Sequence, residues 1–103
     1  MTQENLLTVK KGDSFVIKLD ANMGTGYLWE FREPLDTTLL KLVKTGYELA
    51  DPKKDNGPGY SLFTFRAEKA GETIIKWWYI RPWVKDKAAD PHTRYKETPI
   101  RII

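Results

Sequence analysis

Cysteine is absent from the 103 residues, which removes disulfides, thiol nucleophiles and zinc–thiolate sites together. Other catalytic side chains are scarce: His92 is the only histidine, and Ser14 and Ser61 are the only serines. Ser14 falls near the start of a strand and His92 in a loop expected at the far end, so no serine–histidine–acid site is expected. No pair of carboxylates stands out at a strand end, and the chain does not read as an enzyme. No apolar run reaches the roughly 18 residues that a spanning helix needs, and no membrane partner is expected. The opening MTQENLLTVKKGD lacks a basic start followed by an apolar stretch, so it is not a signal peptide. An intracellular protein fits this, as does a secreted one whose leader was replaced by Met1. Basic runs are missing too. Lys and Arg are scattered among Asp and Glu, and the formal charge of +3 falls short of a nucleic-acid footprint.

Aromatic residues are plentiful, with four Trp, five Tyr and four Phe. They lie in segments of period two bounded by turn residues, the signature of strands. Leu7 and Val9 open the series, and Lys11-Gly12-Asp13 makes a tight turn. Phe15, Ile17 and Leu19 then alternate with Val16, Lys18 and Asp20. Tyr27, Trp29 and Phe31 alternate with Leu28, Glu30 and Arg32, and Pro34 closes that strand. LLKLVKTGYEL, residues 39–49, competes with a helix but is read as a strand, because Val43, Thr45, Gly46 and Tyr47 form helices poorly. Gly46 is the expected bulge. Residues 60–67 form a fifth strand with Phe63, Phe65 and Ala67 on one face. ETIIKWWYI is apolar on nearly both faces, as a central strand is, and YKETPIRII is the last. About seven strands in one 1–103 domain predict an all-β, immunoglobulin-like antiparallel sandwich. Trp29 is expected in the core, and the adjacent Trp77 and Trp78 on opposite faces.

If consecutive strands alternate in direction, three connections leave the same end: residues 21–26, 50–59 and 81–94. They contain NMGTG, DPKKDNGPG and RPWVKDKAADPHTR, longer and stranger than the turns KKGD and EKAG at the other end. A rigid sandwich presenting three unusual loops side by side is how antibody-like domains build a binding edge. Each feature also has a plain reading. Gly24 and Gly26 could only supply positive φ to a turn, Gly57-Pro58-Gly59 could be a flexible turn, and Trp83 could fold back as a core cap. DPKKDNGPG has the composition of a calcium loop, but its glycine is misplaced and Leu62 stands where the final glutamate belongs. No metal or cofactor is expected.

At these three loops the chain resembles the chagasin family of cysteine-protease inhibitors. The family's first loop reads Asn-Pro-Thr-Thr-Gly-Tyr, and here Asn22, Thr25, Gly26 and Tyr27 match while Met23 and Gly24 depart from it. A Gly-x-Gly element matches Gly57-Pro58-Gly59, followed by Tyr60, and Arg-Pro plus an aromatic matches Arg81-Pro82-Trp83. The motifs fall in the family's order across almost the whole chain. The resemblance implies a reversible, non-covalent inhibitor, expected as a monomer, that occludes the cleft of papain-family proteases. Residues 24–26 would be the wedge, and residues 57–60 and 81–83 the flanking clamps. Two other readings stay open on the residues alone. One is an immunoglobulin-like binding module for another ligand, carbohydrate or an adaptor protein; the other is an aromatic β-domain for single-stranded nucleic acid.

Overall fold

The computed structural model describes residues 6–22, 25–51, 53 and 58–103. Among them the alternating segments become seven strands: β1 (Leu7–Val9), β2 (Ser14–Asn22), β3 (Leu28–Phe31), β4 (Leu40–Leu49), β5 (Pro58–Ala67), β6 (Gly71–Ile80) and β7 (Arg94–Ile102). One sheet runs β2-β5-β4 and the other β1-β7-β6-β3. This is the two-sheet, immunoglobulin-like sandwich that the alternation predicts. A short 3-10 helix, Lys87–Ala89, lies within the β6–β7 connection.

Strand direction alternates, and the pairings agree with it. β1 and β7 are both odd in the series, so strict alternation makes them run the same way. They pair in parallel, Leu7 opposite Ile100 and Val9 opposite Ile102. All the other pairings are antiparallel. The β2–β3, β4–β5 and β6–β7 connections therefore share one end of the sandwich. Ser14, at the start of β2, lies at the other end from His92.

Inward-facing side chains of both sheets build one core around Trp77, whose side chain is fully buried. Phe31, Phe63 and Phe65 surround its ring at centroid distances of 5.1, 4.6 and 6.3 Å. Its indole N–H donates to the hydroxyl of Thr98, itself buried, at 3.1 Å. Trp29 is buried as expected, and Trp78 is half-buried on the opposite face from Trp77. β6 is an inner strand between β7 and β3, which explains its apolar run.

Two details differ from the sequence reading. The bulge in β4 is at Val43 and not at Gly46: Leu42 pairs with Phe65 and Lys44 with Thr64, so Val43 is the extra residue. The physical reason is parity. Leu40 and Leu42 are even-numbered and Tyr47 and Leu49 odd, and only a one-residue insertion between the pairs puts all four on the inner face. β5 also begins at Pro58 instead of residue 60, because Pro58 and Gly59 pair with Asn22 and Ala21 of β2.

Thr98→Val preserves shape but leaves the Trp77 N–H buried without an acceptor. It is expected to destabilise the fold by about 1–3 kcal/mol in urea unfolding; an unchanged midpoint contradicts this role.

Candidate functional site

The end shared by the three connections is assembled around Tyr79, a buried residue of β6. Alternation points its ring inward with Ile75 and Trp77. Its hydroxyl accepts the Asn22 backbone N–H at 2.9 Å, which fixes the top of β2. Trp29 and Tyr27 pack on the ring at 4.9 and 5.4 Å. Arg94, opposite Tyr79 in the β6–β7 ladder, sets its guanidinium 5.9 Å from the same ring. The Trp29 indole N–H donates to the Asp20 carbonyl at 2.8 Å, and the Tyr47 hydroxyl donates to the Ala21 carbonyl at 3.2 Å.

Local hydrogen bonds shape the loop after β2. The Thr25 hydroxyl donates to the Asn22 carbonyl at 2.8 Å and accepts the Tyr27 N–H at 3.3 Å. A threonine between two glycines thus has a structural use: its Oγ1 closes the loop on both sides. Gly26 serves both purposes that a glycine can. Its φ is +81°, and a Cβ there would sit 2.6 Å from Cη2 of Trp83. The surface that approaches Gly26 closely belongs to the chain's own β6–β7 loop.

That loop begins with a proline turn. The Val84 N–H donates to the Arg81 carbonyl at 3.1 Å, with Pro82 in the position that favours its fixed φ. Trp83 follows, 68% exposed with one ring edge on Gly26. It is neither a core cap nor a detached clamp. The Arg81 guanidinium lies 4.7 Å from the Tyr27 ring centroid, and the Tyr27 hydroxyl donates to Asp90 at 2.8 Å. Asp90 also accepts the His92 N–H at 2.9 Å, in an Asx turn ahead of Pro91. Its carboxyl is held below the usual carboxylate range, first by that backbone N–H and then by the Tyr27 hydroxyl, with Arg81 assisting. Burial raises the Tyr27 phenol above its usual value, and the bond to Asp90 adds to this while Arg81 opposes it.

The second connection is tied in through the sheet. Pro58 stands opposite Asn22, and the Ala50 N–H donates to the Pro58 carbonyl at 3.0 Å. Gly59 is a strand residue and not part of a flexible turn. A Cβ there would run into the carbonyl oxygen of Glu48 on β4, so glycine is required by close strand packing. Tyr60 lies on the outer face of β5, with the Lys18 ammonium 4.7 Å from its ring centroid. Asn22, Thr25, Gly26, Tyr27, Pro58, Gly59, Tyr60, Arg81, Pro82 and Trp83 therefore lie at or near one end of the sandwich. Met23, Gly24 and Gly57 fall outside the described residues.

Sequence reasoning missed Tyr79, Asp90 and Arg94 as positioning residues. The β6 alternation that buries Trp77 also buries Tyr79 two residues later, and Asp90-Pro91-His92 carries an Asx-turn signal. The pairing of Asp90 with Tyr27, 63 positions away, has no local signature.

A family model described as chagasin family peptidase inhibitor I42 matches residues 8–97. No curated protein matches the chain. Among solved structures, the cysteine protease inhibitor EhICP2 from Entamoeba histolytica is 29% identical, with a TM-score of 0.75 over 95% of this chain and 86% of that one. Amebosin is similar in fold, at 24% identity and a TM-score of 0.69, covering 100% of this chain and 95% of its own. PbICP-C, solved in complex with falcipain-2, shares the fold at 18% identity and a TM-score of 0.65, over 95% and 86% of the two chains.

Gly26→Ala places a side chain in the left-handed region against Trp83. It is expected to cost about 1–2 kcal/mol in urea unfolding and to shift the Trp83 indole N–H resonance. Gly46→Ala, with open space at its Cβ, is expected to leave that resonance in place. The Asp90 tie has a definite pH sign. A carboxyl depressed in the folded state stabilises above its ordinary value of 3.8 and loses that contribution as pH falls through the folded value. The Asp90 carboxyl resonance is expected to titrate below 3.8, and in Tyr27→Phe its midpoint moves upward. No movement in that variant would contradict the hydrogen bond's role.

Proposed function

The chain belongs to the chagasin family of peptidase inhibitors, and from that premise we propose that it is a reversible inhibitor of papain-family cysteine proteases that plugs the active-site cleft with its three-loop end. Inhibition, not catalysis, is the activity of the family that the match over residues 8–97 identifies.

A papain-like cleft is a groove with a thiolate–imidazolium pair on its floor. A plug has to reach that floor without offering a peptide bond in attack geometry. Residues 24–26 form the proposed wedge. Gly24 stands where the resemblance places a threonine, so this chain offers narrow backbone there. Downstream, the Thr25 side chain bonds to the Asn22 carbonyl and the Tyr27 N–H, which favours a turn over the extended strand that a protease cleaves. Arg81, Pro82 and Trp83 form the clamp on one rim, and residues 57–60 form the clamp on the other.

One observation carries the reading: the Trp83 ring rests on Gly26 while Arg81 and Asp90 grip Tyr27. The Gly26–Tyr27 base of the wedge and the Arg81–Trp83 clamp are thereby prearranged together, which lowers the ordering entropy lost on binding. An exposed Trp beside an Arg is also the composition of an interface hot spot. A three-loop contact of this kind is about the standard 800 Å² per partner.

Titration of papain or a cathepsin with the chain, read by a fluorogenic substrate, is expected to show stoichiometric loss of activity that dilution restores. Trp83→Ala is expected to weaken inhibition about 30-fold or more, the 2 kcal/mol of a hot-spot residue. No effect at micromolar concentration across several such proteases would refute the reading.

A further inference from the structure

Charge is distributed unevenly along this chain. Residues 1–80 carry eleven Lys and Arg against eleven Asp and Glu, residues 81–96 carry five against two, and Glu97 cancels Arg101. The whole formal charge of +3 therefore lies in the β6–β7 connection and the first residues of β7. The two acids of that segment are turned to internal use. Asp86 accepts the Ala89 N–H at 3.2 Å, and Asp90 accepts from His92 and Tyr27.

The cations are treated differently. The ion pairs among the described residues all use Lys and Arg outside residues 81–96. Within the segment, Arg81 lies over Tyr27 and Lys87 donates to the Val84 carbonyl. Lys85, Arg94 and Lys96 are exposed. Arg94 and Lys96 border a polar notch of about 310 Å³, whose opposite side holds Asp20 and a Lys18 already paired with Glu48. A cationic flank without ion pairs among the described residues thus adjoins the loop that carries Trp83, while the rest of the chain is balanced in charge.

We propose that this flank steers the chain onto proteases whose cleft rim is acidic on the side met by the β6–β7 loop, and that it sets selectivity through the association rate. The proposal rests on the inhibitory reading above. Charges at the rim of an interface act mainly on association and on its salt dependence, whereas buried pairs act on dissociation. Steering of this kind raises association rates about 10- to 1,000-fold and fades as salt shortens the Debye length below about 10 Å. An acidic protein rim suits the flank better than a nucleic acid, because the segment carries only three net charges, short of a nucleic-acid footprint.

Stopped-flow association and dissociation rates of the whole chain test this, with two papain-like proteases, one acidic and one basic around the cleft, at about 20 and 300 mM salt. Association with the acidic protease is expected to fall about 10-fold over that range, with dissociation unchanged within about two-fold. Lys85→Glu combined with Lys96→Glu is expected to slow association with the acidic protease about 10-fold at low salt, leaving dissociation and thermal unfolding as before. It is also expected to speed association with the basic one. Inhibition with salt-independent association, or unchanged association in the double variant, overturns the steering and leaves the inhibitory reading standing. Failure of the unaltered chain to inhibit either protease overturns both. Displacement of the protease by a single-stranded oligonucleotide at about 150 mM salt assigns the flank to nucleic acid and also overturns the proposal.

Discussion

The three-loop end depends on one buried phenol. Tyr79 reaches the last residue of β2 through its hydroxyl and receives Tyr27, Trp29 and Arg94 on its ring. The first and third connections thereby share a single reference point, and the second is tied to it through the pairing of Pro58 with Asn22. The hydroxyl matters to this, since the part-buried backbone N–H of Asn22 would otherwise lose this partner. From Tyr79 the order passes outward. Tyr27 is fixed by Tyr79 beneath, Arg81 above and Asp90 at its tip, and Trp83 then rests on Gly26.

This arrangement explains how a small sandwich without cysteine can hold the described parts of its first and third loops in a defined shape. The described parts of the first and third loops are short of regular structure yet rich in specific bonds: the Thr25 staple, the Arg81–Val84 turn, the Asp86 cap on the 3-10 helix and the Asx turn at Asp90. A loop ordered before it meets its target binds with less entropic loss, and a turned backbone is a poor substrate. The core supplies the other half of the design. Trp77 and the phenylalanines around it make the two sheets one rigid support.

Much of this was legible in the chain itself. Period-two runs gave the strands, and simple alternation of direction placed NMGTG, the 50–59 segment and RPWVKDKAADPHTR at one end. The misplaced bulge was also readable in principle: Leu40 and Leu42 share a face with Tyr47 and Leu49 only if one residue is inserted between them. The role of Gly59 was not, because the Glu48 carbonyl that excludes a side chain there comes from a neighbouring strand whose register depends on the bulge. Nor could Trp83 on Gly26 or Tyr27 on Asp90 be foreseen, since both are contacts between loops whose paths follow from tertiary packing. The threonine flanked by glycines illustrates the divide. Its composition announced an unusual turn, but only the fold reveals that the close neighbour of Gly26 is a tryptophan of the same molecule.

The central claim is that the three-loop end acts as one body in the cleft. Amide hydrogen exchange of the chain, free and bound to a papain-like protease, addresses it most directly. The account predicts that protection on binding appears together at residues 25–27, 58–60 and 81–84 and leaves residues 10–13 and 68–71 unchanged. Protection confined to one of the three segments, or centred on the opposite end, would contradict it.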